Sequence, residues 1–176
     1  MKNRLLGLLL LAACSSAPPS RDPATRPSSA DVLHYAIRLK VDFETQTLAG
    51  QTEITFLPLH TPVAFDADGM KIESVTQAGS PIPFEHHAGL LTLNAPFPGK
   101  SAVTISYTAV PRGRGFHFIR NPLMAYSDGQ PEDNHLWFPC HDSPDDRMTS
   151  ETAITAPAHC TVISNGRQVG RTESDG

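Results

Sequence analysis

The chain is 176 residues long, carries a formal charge of −4 at neutral pH, and is 18% charged side chains. That length leaves room for one ordinary domain with a true core, and a chain with no basic excess is a poor candidate for binding nucleic acid. Sixteen Pro and 12 Gly beside 7% aromatic residues suit short strands joined by turns better than helices.

The first thirty residues do not read as fold. Lys2 and Arg4 precede an apolar run from Leu5 to Ala13, too short to span a bilayer as a mature helix. A positive end, a short apolar core and small residues at the cut are the layout of a secretory signal. Leu11-Ala12-Ala13-Cys14, followed by Ser15-Ser16, looks like a bacterial lipobox. Residues 1–14 are therefore expected to be a lipoprotein signal, with Cys14 the lipidated first residue of the mature protein. At about 0.8 kcal/mol per buried methylene, acyl chains there would anchor the protein to a membrane of the bacterial cell envelope, facing the periplasm or the exterior. Residues 15–30, SSAPPSRDPATRPSSA, have no apolar periodicity and read as a disordered tether. The folded domain is expected over residues 31–176.

Tyr35, Ile37, Leu39, Val41 and Phe43 alternate with Ala36, Arg38, Lys40 and Asp42, the period of a strand with one buried face. A second strand should turn Thr52, Ile54 and Phe56 inward and close a long antiparallel hairpin, with Gly50 a candidate bulge. Shorter strands are expected at Val63–Phe65, Met70–Val75, Leu90–Leu93, Ala102–Thr108 and Phe116–Ile119, at the spacing of sandwiches and meanders. Thr152–Thr155 reads as another. Cys160–Ile163 and Arg167–Val169, joined by Asn165-Gly166, carry the strongest short hairpin signal in the chain. No segment shows a useful helical repeat. The fold class is all-β: an antiparallel sandwich or saddle-like sheet.

Few residues suggest chemistry. His86-His87 and Cys140-His141-Asp142 invite a metal reading, but neighbours on a strand point to opposite faces, so neither group easily holds one ion. Asp142, Asp145, Asp146 and Glu151 lack the glycine and the alternating spacing of a calcium loop. A Cys140–His141 nucleophile needs ring and sulfur within hydrogen-bond reach, which adjacent residues of an extended segment do not offer. Asp142, before Ser143-Pro144, is placed to accept backbone N–H groups in a turn. Gln130 lies in the polar loop Ser127-Asp128-Gly129-Gln130-Pro131 and by itself reads as a solvated loop glutamine. Cys140 and Cys160 could pair in an oxidising compartment.

Two blocks carry a family resemblance. Trp137-Phe138-Pro139-Cys140-His141-Asp142-Ser143-Pro144 resembles the F-P-C-x-D-x-P signature of the M1-family zinc aminopeptidases, and Ile163-Ser164-Asn165-Gly166 resembles the S-N-x that comes after it there. The run from Asp31 through Val41-Asp42 to Gly50 is similar to the family's opening strands. Ten residues before Cys140, where the family carries a Glu or Gln that holds the substrate's free amino terminus, stands Gln130. The resemblance thus implies that Gln130 binds substrate, that peptide amino termini are the partners, and that Cys140 is a buried thiol. His135 stands where many members have Arg, Arg147 where Lys is usual, and Met148 where a small residue is customary.

In the family, zinc sits on an H-E-x-x-H helix in a later domain, and a G-x-M-E-N loop there binds the peptide terminus. Neither motif occurs in this sequence. No catalytic residue and no metal or cofactor ligand is expected in the chain itself, with zinc belonging to the family's catalytic domain. The expected role is the N-terminal substrate-binding and structural domain of an M1-type enzyme that removes amino-terminal residues from peptides. The chain stops at Gly176 just past its last expected strand, where a natural domain could end. The family's N-terminal domain, however, continues for a further strand or more, so the resemblance implies a truncated gene product or fragment. The alternatives are a non-catalytic envelope lipoprotein that docks peptides or a partner, and a non-functional gene fragment.

Overall fold

The structure is a computed structural model and describes residues 28–173. The expected signal, the expected lipidation site Cys14 and nearly all of the expected tether lie outside the described residues. Among the described residues eleven strands form: β1 Ala30–Asp42, β2 Thr47–Pro58, β3 Val63–Asp66, β4 Met70–Gln77, β5 Ser80–Pro81, β6 Phe84–His87, β7 Leu90–Leu93, β8 Ser101–Ala109, β9 Gly115–Ile119, β10 Met124–Asp128 and β11 Thr149–Thr155. A 3₁₀ turn covers Asn134–Leu136. The strands make a six-stranded sheet in the order β11-β1-β2-β8-β4-β5, a three-stranded sheet β3-β7-β6, and the hairpin β9-β10. The fold is all-β and antiparallel throughout except for one parallel pairing, β11 on β1.

The long hairpin β1-β2 forms as its alternation requires. Tyr35, Ile37, Leu39 and Val41 of β1 join Leu48, Thr52, Ile54 and Phe56 of β2 in the buried layer. The bulge, however, is not at Gly50, which pairs in regular register with Leu39 and with Tyr107 of β8. It lies between Val32 and His34. The extra residue there reverses the alternation, so Val32 and Tyr35 share the buried face although they are an odd number apart. A second shift, between Ile72 and Ser74 of β4, does the same for Met70 and Val75.

Gly50 is needed for another reason. A Cβ there would fall on the ring of Tyr107, which is 1% exposed and sits with its hydroxyl 3.3 Å from that of Thr52. All three sheets contribute to one apolar cluster. Phe56 meets Phe65 of the small sheet and Phe97 edge-on, with ring centres 5.5 and 5.2 Å apart, and Phe116 closes the cluster from the β9-β10 side.

The expected hairpin at Asn165-Gly166 is not there. Gly166 has φ +87°, as a turn at that position needs, but its flanks form no strands. Ile163 and Val169 are 87% and 90% exposed. With no face to bury them, two isolated strands gain too little to offset ordering the chain.

Candidate functional site

The segment 137–142 is tied to the two sheets before it positions anything. Asp66, at the end of β3, and Cys140 form an antiparallel bridge: Asp66 N–H donates to the Cys140 carbonyl at 2.7 Å, and Cys140 N–H to the Asp66 carbonyl at 2.9 Å. Phe138 meets the Tyr35 ring edge-on at 5.5 Å, and the Tyr35 hydroxyl accepts the His141 N–H at 2.8 Å. Burial pushes the Tyr35 phenol well up, so it stays a neutral hydroxyl.

This bridge buries Asp142, which is 5% exposed. The carboxylate does not serve its own Ser143-Pro144 turn but reaches seven residues back. Its Oδ2 accepts the His135 backbone N–H at 2.9 Å and the ring Nδ1–H at 2.7 Å, while Oδ1 accepts from the Asn134 amide at 3.4 Å. Its own N–H donates to Asp66 Oδ2 at 3.3 Å. A buried carboxylate needs such partners. Here they come from the 3₁₀ turn.

The same 3₁₀ turn closes the loop that bears Gln130. Asp133 N–H donates to the Gly129 carbonyl at 3.2 Å, and a Cβ on Gly129 would strike the Asn134 amide. From the other side Arg114 reaches Asp133, Nη2 to Oδ1 at 2.5 Å and Nε to Oδ2 at 3.4 Å. Gly115 comes next at φ +69°, and a Cβ there would fall on the Asp133 carbonyl, so both conformation and space require glycine. Gln130 itself is exposed. Its backbone N–H donates to Asp128 Oδ1 at 3.5 Å, and its side-chain amide makes no hydrogen bond among the described residues. It lies just past the end of β10, whose Met124 and Tyr126 are both 42% exposed, with Tyr126 stacked on His117 at 4.7 Å.

His135 is held between opposing effects. Burial lowers its affinity for a proton, but the hydrogen bond and charge of Asp142, with Asp66 and Asp68 beyond, outweigh it, and the pKa rises above the ordinary 6.5. A raised histidine adds stability that is fully present below the unfolded value and is lost as pH climbs through the folded one. The urea midpoint is therefore expected to fall as pH rises from about 6 upward, and to lose this decline in His135→Arg, where the cation persists. A flat profile in the parent chain would contradict the ion pair.

Both described cysteines are free. Cys140 is buried and Cys160 half-buried, and burial, with Asp142 and Asp66 nearby, pushes the Cys140 thiol well up. The possible Cys140–Cys160 disulfide is not formed. Iodoacetamide on the folded chain is expected to modify Cys160 and to leave Cys140 intact until urea unfolds it, as peptide mapping by mass spectrometry would read; early loss of Cys140 thiol would contradict its burial. Among the described residues no three His, Cys, Asp or Glu converge as metal ligands would. His86 and His87 alternate in exposure along β6, with His86 Nε2 donating to the Ala67 carbonyl at 2.8 Å, and His141 Nε2 lies 3.8 Å from Asp145. The described residues do not fit a zinc site.

A family model, that of the peptidase M1 N-terminal domain, matches residues 31–176. The chain belongs to this family. Among solved structures, the M1 zinc metallopeptidase of Deinococcus radiodurans superposes with a TM-score of 0.73 at 20% identity, over 84% of this chain and 37% of that one. The leukotriene A4 hydrolase of yeast gives 0.66 at 22% identity, over 85% of this chain and 27% of that one. A search of the curated proteins returned no match. The chain thus spans little more than a third of the bacterial relative and about a quarter of the yeast one. As an M1 N-terminal domain it presents Gln130 outward on a braced loop.

Sequence reasoning named Gln130, Cys140 and Asp142 and missed Asn134, Arg114, Asp133 and Asp66, the residues that brace the loop. Asn134 and Asp133 sit among ordinary loop residues, and Arg114 is nineteen positions from its partner. Only Gly129, a glycine within the polar loop, offered a local signal; Gly115 comes beside the loop through its pairing with Asp128.

Proposed function

We propose that this M1 N-terminal domain forms the non-catalytic wall of a peptidase cleft, where Gln130 accepts hydrogen bonds from the free amino terminus of a peptide. The observation that carries this reading is Gln130 itself: an exposed amide with no partner of its own among the described residues, on a loop anchored to a buried carboxylate. An ammonium group has three donors and needs fixed acceptors, and a rigid loop supplies one without an ordering cost at binding. The bacterial relative is described with a Tyr-Ser-Ala substrate bound. The hydrolytic step, the removal of amino-terminal residues, and the zinc that activates water for it belong in this reading to the H-E-x-x-H domain of the family. Exposed Leu123, Met124 and Tyr126 on the approach to Gln130 offer that domain an apolar face. Lipidation at Cys14 would hold the assembly at the envelope membrane.

The test is to express the reading frame that carries this chain as the cell makes it and assay release of amino acid from aminoacyl p-nitroanilides, with and without a zinc chelator. Chelator-sensitive release is expected, and Gln130→Ala should raise KM about 10- to 100-fold, the loss of a hydrogen bond to a charged group. An unchanged KM would remove Gln130 from the site. No peptidase activity in the whole product would leave a peptide-docking envelope lipoprotein as the reading.

A further inference from the structure

We propose that His135 and Asn134, held by Asp142, are positioning residues for Gln130, so that the orientation of the peptide-binding amide is set through a buried ion pair five residues away. The inference rests on the reading of Gln130 as the amino-terminus acceptor, and its geometry is that of a clamp. Gln130 lies in a five-residue loop pinched shut by the Asp133 N–H on the Gly129 carbonyl, 3.2 Å. Beyond the pinch the chain is anchored in depth: the Asn134 amide and both His135 donors end on Asp142, whose main chain is fastened to Asp66 and whose neighbour His141 is fastened to Tyr35. With Gly129 packed against the Asn134 amide, a shift of the 3₁₀ turn moves both ends of the Gln130 loop together.

The groups facing His135 are Asp142 from the 137–142 segment, and Asp66 and Asp68 from the end of β3 and the turn after it. The neighbouring Arg114–Asp133 pair braces the loop on its β9 side. The Arg114 side chain is 73% exposed, so that outer brace is screened by solvent and contributes little; the inner clamp sets the position. Its hold strengthens when His135 is a cation, since a charge-assisted hydrogen bond to Asp142 is stronger than a neutral one, and this couples the loop to the His135 proton.

The experiment is a pH titration of the whole 176-residue chain, labelled with nitrogen-15, from about pH 5 to about pH 9, the range in which histidine changes charge. The backbone and side-chain amides of Gln130 are expected to shift with the midpoint of the His135 ring and to stay flat in His135→Arg. In His135→Gln and in Asn134→Ala the amides from Gly129 to Asp133 should exchange about tenfold faster, the effect of one lost hydrogen bond. Gln130 amides that ignore the His135 midpoint, or exchange rates unchanged in both variants, would overturn the clamp. Trileucine, added as a free-amino probe, separates the two layers of the reading. A clamp seen in the titration with no Gln130 response to trileucine supports the positioning and sinks the substrate role. A trileucine response that is identical in the parent chain and all three variants overturns the positioning and leaves the substrate role standing.

Discussion

Asp142→Ala is expected to destabilise the domain by about 3–5 kcal/mol, the range for removing one partner of a buried ion pair. The carboxylate accepts three hydrogen bonds, and His135 and Asp142 are only 15% and 6% exposed at their side chains. Without it the His135 backbone N–H, its ring and the Asn134 amide face a protein interior with no acceptor, and each unsatisfied buried donor costs about 1–3 kcal/mol. Urea denaturation followed by Trp137 fluorescence would measure the loss, since Trp137 packs on Phe138, with ring centres 4.4 Å apart, directly before the bridge. Asp142→Asn is the informative companion. It keeps an acceptor oxygen but not the charge, so it should cost less and should also abolish the fall in stability with rising pH. An alanine variant within about 1 kcal/mol of the parent, the scale of a surface change, would mean that the loop is held by something else.

Gly50→Ala is expected to be the most costly single methyl in the sheet. The added carbon would fall 2.1 Å from Tyr107 Cζ and 2.4 Å from its hydroxyl, and that ring has nowhere to go. It is 1% exposed, lies in the layer with Ile54, Ile105 and Leu48, and carries a hydroxyl 3.3 Å from Thr52. Burial also pushes the Tyr107 phenol up, so it cannot ionise to escape. Overpacking of this kind costs about 1–3 kcal/mol, against which the better strand propensity of alanine returns less than about 1 kcal/mol. A double-mutant cycle decides the cause. In a Tyr107→Leu background the Gly50→Ala penalty should largely vanish; a penalty that persists there would place the strain in the backbone rather than on the ring.

The two variants fail for reasons that differ in how visible they were beforehand. Gly50 stands out in the sequence as a glycine inside an otherwise regular strand, and such a residue signals either a bulge or a close approach. Which of the two applies depends on Tyr107, fifty-seven positions away, and so on the pairing of β2 with β8. Asp142 stands out as an acid in a proline-bounded motif, but its partners lie behind it at Asn134 and His135 rather than ahead in its own turn. No local rule distinguishes those directions, because the choice is made by the Asp66–Cys140 bridge that buries the carboxylate.

The alternation of β1, β2 and β8, the all-β class, the family signature around Cys140 and the candidate Gln130 come from the order of residues alone, since period two and motif spacing are local properties of the chain. The tertiary structure decided the rest. It moved the bulge from Gly50 to the Val32–His34 step, and it left Asn165-Gly166 without the hairpin its dipeptide favours. It also laid β11 parallel to β1 and gathered Asp66, Asn134, His135 and Asp142 under one loop. A strand's register, a turn's survival and a buried carboxylate's partners each depend on which distant surface arrives to cover them, and a polar group taken out of water must be satisfied by whatever the fold brings within reach.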